Sequence, residues 1–268
     1  MPERRLALIT GASAGIGEAF ARYYAERRFD VALTARRKDR LDVIAQDIEA
    51  RRGVAAITIA NDLSKPGAVD DILATLQENG RHADVVINNA GYGLPGTFEN
   101  TSWQDQADFL QVLLTAPCEL VHKTLPGMLD RRYGRILNIA SLAGFAPGSK
   151  GHTLYGAVKA ALIKFSQSMN VECESTGVHS TAVCPGFTYS EFHDVNDTRK
   201  QMNEMPDFMW QTAEEVVEAA FHASERNQAI VVTGGVNKTL AALTKILPDP
   251  LALNLMKGQS AKFRNTDG

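Results

Sequence analysis

The chain has 268 residues, 44% of them hydrophobic and 22% charged, enough to bury a sizeable core in one large domain or two small ones. A formal charge of −3 with no basic block leaves no electrostatic footprint for nucleic acid, and no apolar run reaches the roughly 18 residues that a membrane-spanning helix needs. Cys118, Cys173 and Cys184 are odd in number and lack metal-ligand spacing, so no disulfide framework is expected and a reducing cytoplasm is the expected location.

The N-terminal stretch MPERRLALITGASAGIG starts basic, but its apolar run ends at Ile9, too short for a signal peptide. The first strand, LALIT, meets Thr10-Gly11-Ala12-Ser13-Ala14-Gly15-Ile16-Gly17, which opens the helical segment EAFARYYAERR. A glycine-rich turn between a strand and a helix is where a doubly wound sheet takes a pyrophosphate. Glycines let the backbone N–H groups approach the oxygens, and the helix N-terminus adds partial positive charge. Such a turn is weak on its own and strong in this position.

The second strand, VALTA, ends in Thr34-Ala35-Arg36-Arg37. An acidic residue there would bond the ribose 2′-OH, whereas two guanidinium groups offer forks to a 2′-phosphate, so NADP(H) is expected over NAD(H). The alternative, an ordinary basic helix start, is electrostatically unfavourable.

Further strands follow as AAITIA from Ala55, DVVINNA from Asp84, RILNIAS from Arg135, HSTAVCPG from His179 and AIVVTGG from Ala229, with helical segments such as RLDVIAQDIEARR and AEEVVEAAFHASERN between them. Strands apolar on both faces and separated by helices predict a parallel sheet covered on both sides. No repeat or long linker interrupts the pattern, so the expected fold is a single doubly wound α/β domain over residues 1–268 with a seven-stranded parallel sheet. Residues 236–268 form a C-terminal extension with Leu240, Leu243 and Leu247 at helical spacing. It is expected to pack on its own domain or on another subunit, with membrane-surface contact as the alternative.

Within LYGAVK, Tyr155 and Lys159 stand one helical turn apart. Alone, the pair reads as a half-buried ring beside a solvated charge. The motifs in order change that reading. With TGASAGIG, Asn88-Asn89-Ala90-Gly91, Ser141, Tyr155-Gly-Ala-Val-Lys159 and Pro185-Gly186, residues 4–235 resemble the short-chain dehydrogenase/reductase family. The resemblance implies a Rossmann-type sheet, a nicotinamide cofactor, hydride transfer between carbonyl and alcohol, and a homodimer or homotetramer.

By that resemblance Gly11, Ser13, Gly15, Ile16 and Gly17 form the phosphate side of the site, and Asp62 and Leu63 meet the adenine. Asn89, Ala90 and Gly91 line the cofactor. Pro185, Gly186 and Thr188 lie beside the nicotinamide, with Thr188 on its carboxamide or phosphate. Tyr155 exchanges a proton with the substrate oxygen, Ser141 holds that oxygen, and Lys159 bonds the nicotinamide ribose and supplies the charge that lowers the phenol from its ordinary pKa of about 10.

One departure stands out. The family asparagine in the helix after Asn-Asn-Ala-Gly is replaced here by Leu113. In the family that residue's carbonyl holds a water that relays protons to the lysine, and the side chain supports a helix distortion. Pro117 lacks the N–H that would have bonded the carbonyl of residue 113, so that carbonyl is expected to stay open to water and turnover to survive. The alternative is that Leu113 only packs in the core and the chain is a non-catalytic NADP(H)-binding sensor or regulatory protein.

Residues 142–153 and the segment after Pro185, with Phe192, Met202, Met205, Phe208, Met209 and Trp210, are expected to wall the substrate site. Their apolar character suits a hydrophobic ketone or aldehyde, or serves only to pack the segment itself. The stretch LPGMLDRRYGRILNIAS resembles members that reduce acyl, steroid or other bulky ketones. His82, His122, His152, His179, His193 and His222 are scattered, and no metal is expected.

Overall fold

In the computed structural model, residues 4–94, 96–148, 151, 153–189 and 209–246 are described. The strands of the main sheet are β1 (Leu6–Thr10), β2 (Asp30–Ala35), β3 (Ala56–Ala60), β4 (Val85–Asn88), β5 (Gly134–Ile139), β6 (Val178–Cys184) and β9 (Ile230–Val232), in the order β3-β2-β1-β4-β5-β6-β9. Every neighbouring pair is parallel. The order reverses between β1 and β4, which opens a crevice beyond the C-terminal strand ends where doubly wound sheets bind ligands.

Period-two alternation sends Ala7 and Ile9 of β1 into one core and Leu6 and Leu8 into the other. The first core packs α1 (Gly15–Glu26), α2 (Lys38–Arg52) and α7 (Ala213–Glu225) against the sheet. The second packs α3 (Ala68–Glu78), α4 (Trp103–Leu110), α5 (Ala116–Asp130) and α6 (Thr153–Glu172). Strands buried on both faces explain the uninterrupted apolar runs in the sequence.

The predicted strands stop earlier than their apolar letters suggest. β4 ends at Asn88, where Asn89 N–H turns back to the Ile87 carbonyl (3.1 Å). β5 ends at Ile139, one residue before its last bond to β6 through Ala140 N–H. Two features carry no sequence period and were not anticipated. One is a two-residue parallel ladder between β7 (Phe187–Thr188) and β8 (Trp210–Gln211). The other is a π-helical turn, Gln111–Thr115, joining α4 to α5. The leucine-rich extension begins as helix α8 (Gly235–Ile246), which buries Asn237 and Ala241 and leaves Val236, Leu240 and Leu243 partly exposed; Leu247 lies outside the described residues.

A buried polar chain crosses the molecule under the crevice. Asn88 Nδ2 donates to Asn138 Oδ1 (2.8 Å) and to the Pro117 carbonyl (3.3 Å). Asn138 Nδ2 donates to Ser166 Oγ (2.9 Å), which donates to the Leu162 carbonyl (2.8 Å). Breaking one member would leave a buried group unpaired at a cost of about 1–3 kcal/mol, so the chain fixes α5 and α6 against β4 and β5.

Candidate active site

The crevice is stitched together by Thr10. Its hydroxyl accepts from Asn89 N–H and Ala90 N–H, both at 3.0 Å, and donates to the Ile87 carbonyl (3.3 Å). Asn89 Nδ2 returns to the Thr10 carbonyl (2.9 Å) and the Gly11 carbonyl (3.2 Å). The turns after β1 and β4 therefore form one wall. A Cβ at Gly17 would stand 2.2 Å from the Gly11 oxygen, so only glycine lets α1 start this close to the turn. Gly15 adopts φ +56 at the start of that helix, and Ile16 packs from it onto the core.

Ala14 at the N-cap of α1 offers no side-chain acceptor, which leaves the first-turn N–H groups to an anion. Arg37 donates to Ser13 Oγ from Nη2 (3.0 Å) and Nε (3.3 Å), bringing its guanidinium to the same turn. The charge of Arg36 is felt at Asp62 and Tyr92. Burial pushes the Asp62 carboxyl up, but hydrogen bonds from Ser64 and the charges of Arg36 and Lys65 hold it below the usual range. Leu63 beside it is buried. Thr34 Oγ and Asn61 Oδ1, near the ends of β2 and β3, are buried without a hydrogen-bond partner. An open helix start, two adjacent arginines and two orphaned polar atoms fit an adenine dinucleotide carrying a 2′-phosphate.

On the other side of the switch point, Ala140 N–H donates to the Val183 carbonyl (2.8 Å) and Leu142 N–H to the Pro185 carbonyl (2.9 Å), closing the ends of β5 and β6. Ser141 caps a short 3₁₀ turn, Leu142–Gly144, accepting from Ala143 N–H (3.1 Å). A Cβ at Gly144 would stand 2.7 Å from Ile163 Cδ1 and 2.8 Å from the Lys159 carbonyl carbon, so the turn rests directly on α6. That contact brings the Ser141 hydroxyl into a hydrogen bond with the Tyr155 phenol. Lys159, one turn further, is buried, with Nζ 5.6 Å from the Tyr155 ring centroid and donating to the Ile139 carbonyl (2.7 Å). Phe109 lies 6.5 Å from the Tyr155 ring and 5.6 Å, edge on, from Tyr92.

The electrostatics correct one expectation. Tyr155 is not lowered by Lys159: burial raises the phenol above its ordinary 10, with the Ser141 hydrogen bond opposing. Burial also pushes Lys159 down to about 8. Lys159 is buried and Tyr155 partly so, and the ammonium is turned to a backbone carbonyl rather than to the phenol, so burial sets both shifts.

The helix distortion persists without the asparagine. Ala116 N–H reaches back five residues to the Gln111 carbonyl, Leu113 is 1% exposed, and a Cβ at Gly91 would stand 3.5 Å from Leu113 Cγ. The leucine fills the space against Gly91, while Pro117 in the first turn of α5 supplies no N–H and offers its carbonyl to Asn88. Thr188 is buried, its hydroxyl donating to the Gly186 carbonyl (3.2 Å).

Phe192, Met202, Met205 and Phe208 lie outside the described residues, as do His152 and His193. At the edges of that segment Tyr189 stacks on Trp210 (4.7 Å, 19°), and Phe187 lies 5.7 Å from the same ring. Thr10, Tyr92, Asn138 and the Ile139 carbonyl were not singled out from sequence; an asparagine between Leu137 and Ile139 in an apolar strand was the one available signal. Among the described residues no three His, Cys, Asp or Glu side chains converge as a metal site, and no helix is long and apolar enough to cross a membrane.

Comparison with known proteins agrees with this architecture. The ketoacyl reductase HetN of Nostoc sp. is 33% identical over 240 residues, covering 90% of this chain and 82% of that protein. The short-chain dehydrogenase from Sphingobium yanoikuyae in complex with NADPH superposes with a TM-score of 0.79 at 30% identity, over 98% of each chain. The bulky-bulky ketone specific alcohol dehydrogenase from Comamonas testosteroni gives a TM-score of 0.76 at 29% identity, over 98% of this chain and 96% of that one. The short chain dehydrogenase family model matches residues 5–201, and with the parallel sheet and crevice already described, the protein belongs to that family of oxidoreductases.

Proposed function

We propose that the protein is an NADP(H)-dependent carbonyl reductase, or the reverse alcohol dehydrogenase, acting on bulky apolar ketones or aldehydes. The observation that carries the chemistry is the Ser141–Tyr155 hydrogen bond with the Lys159 ammonium one turn away. The contact of Arg37 with Ser13 supports the 2′-phosphate. When bound, the reduced nicotinamide supplies the hydride. Gly11, Ser13, Gly15, Ile16 and Gly17 would hold the pyrophosphate side, Arg36 and Arg37 the 2′-phosphate side, and Asp62 and Leu63 the adenine. Asn89, Ala90 and Gly91 would face the middle, and Pro185, Gly186 and Thr188 the nicotinamide end.

Ser141 and Tyr155 hold the substrate oxygen between two hydroxyls, and Tyr155 donates its proton as that oxygen gains charge. A phenol raised by burial stays protonated at neutral pH, the state that reduction requires. Lys159, one turn from Tyr155 and held to the Ile139 carbonyl, would bond the ribose and carry positive charge at that end of the site. The Leu113 carbonyl, within the π-helical turn that interrupts the regular i→i+4 ladder, would hold the water that returns a proton toward Lys159. The apolar substrate class is supported by the Tyr189–Trp210 and Phe187–Trp210 pairs at the crevice and by the likeness to a bulky-ketone dehydrogenase.

The test is NADPH oxidation with aldehydes, alkyl and aryl ketones, diones and 3-oxoacyl compounds, with Tyr155→Phe alongside. Turnover of bulky ketones that vanishes in the variant is the expected result. NADPH binding with no turnover of any carbonyl class would favour the sensor reading. We also propose that the chain works in the cytoplasm as one domain assembled into a homodimer or homotetramer, which light scattering would check.

A further inference from the structure

We infer that Asn237, in the first turn of α8, is a positioning residue for the Pro185–Gly186 loop, so that the C-terminal helix completes the nicotinamide end of the site. The inference rests on the cofactor reading above. Gly186 does not use a left-handed backbone, so conformation does not demand glycine there. Proximity does: a Cβ would stand 2.4 Å from Asn237 Nδ2 and 2.5 Å from its Oδ1. The carboxamide lies directly against the Gly186 backbone.

The carboxamide is itself held. Asn237 is 3% exposed, and its Nδ2 donates to the Thr233 carbonyl (2.9 Å) and lies 3.2 Å from the Gln211 amide. The Gln211 side chain is best satisfied with its oxygen accepting from Gly234 N–H (3.0 Å) and its nitrogen donating to Thr233 Oγ (2.8 Å). Thr233 N–H donates to the Cys184 carbonyl (3.3 Å). Gln211 belongs to β8, which pairs with Phe187 and Thr188 of β7. The ends of β6 and β9, the β7–β8 ladder and α8 thus meet at one buried amide.

Across the loop, the Pro185 carbonyl accepts from Leu142 N–H, next to Ser141 (2.9 Å). The Pro185–Gly186 peptide is therefore clamped between the Ser141 turn and Asn237, and Asn237 sets how far the loop stands from Ser141 and Tyr155. The adenosine side, built from Gly11, Ser13 and Arg37, shares none of these contacts. Loss of the carboxamide should loosen one end of the cofactor site and spare the other.

The experiment compares NADPH with 2′,5′-ADP, which carries the adenosine phosphates but no nicotinamide, on wild type, Asn237→Ala and Gln211→Ala. Both variants should bind 2′,5′-ADP within about twofold of wild type, while NADPH weakens about tenfold and its emission moves toward that of the free dinucleotide. The 2′,5′-ADP affinity doubles as the folding control, and Gln211→Ala reaches the same cluster from another element. Parallel weakening of both ligands, or no change in either, would overturn the inference alone. Wild-type protein that binds neither would overturn the cofactor reading and the inference with it.

Discussion

Lys159 Nζ donates to the Ile139 carbonyl at 2.7 Å, which anchors the ammonium of α6 to the strand that presents Ser141. Serine, tyrosine and lysine are thereby fixed to one another through backbone as well as side chains. The same contact keeps a charge out of water, and the first two of the following expectations come from that burial.

The rate of carbonyl reduction should fall as pH rises through about 8, where Lys159 loses its proton, while Tyr155, raised above 10, stays protonated. Initial rates from about pH 6 to about pH 10 should show this limb, and Lys159→Arg should remove it by keeping the charge. A flat profile across that range would contradict the assignment.

Lys159→Met should stabilise the fold while abolishing turnover. The folded pKa of about 8 lies below the ordinary 10.5, so the unfolded state binds the proton more tightly and wild-type stability rises with pH between those values. At about 1.36 kcal/mol per unit, less about 1 kcal/mol for the lost bond to Ile139, the variant should gain about 2 kcal/mol at neutral pH. Urea denaturation at pH 7 and near pH 10 should show that gain shrinking at the higher pH.

Tyr155→Phe removes the proton donor and leaves the ring in place against Phe109. Turnover should drop by about three orders of magnitude with NADPH affinity within about twofold of wild type. Stopped-flow measurement of hydride transfer separates the two quantities.

Arg37→Ala should weaken NADPH by about 10–100-fold and NADH hardly at all, because a charge-assisted contact is worth about 1.5–3 kcal/mol and only NADPH carries the 2′-phosphate. Calorimetric titration of both nucleotides checks the sign and the size.

Pro117→Ala restores an N–H four residues after Leu113. If the open Leu113 carbonyl carries the proton relay, turnover should fall about tenfold while stability holds or rises. Unchanged turnover would remove Leu113 from the mechanism.

What was legible in the sequence was what is local or periodic. The LALIT-type runs, the glycine turn and the Tyr155–Lys159 spacing each report on residues within one helical turn or one strand, and the sheet and crevice followed from them. The buried chain through Asn88, Asn138 and Ser166 joins positions 50 and 28 residues apart, and no local pattern marks it. The pressing of Asn237 on Gly186 is hidden for the same reason, and the two-residue β7–β8 ladder is too short to show a period. The shift of Tyr155 was misjudged because spacing reveals the neighbouring charge but not how much water the fold removes from both partners.

The β7–β8 ladder has a consequence for how such a catalyst diversifies. Residues 190–208 are inserted between two strands that lie side by side, with Tyr189 and Trp210 stacked across the junction. Ser141 follows β5, and Tyr155 and Lys159 lie on α6, so sequence change between positions 189 and 210 is decoupled from the elements that carry the proton-transfer residues, while the paired strands keep the junction closed.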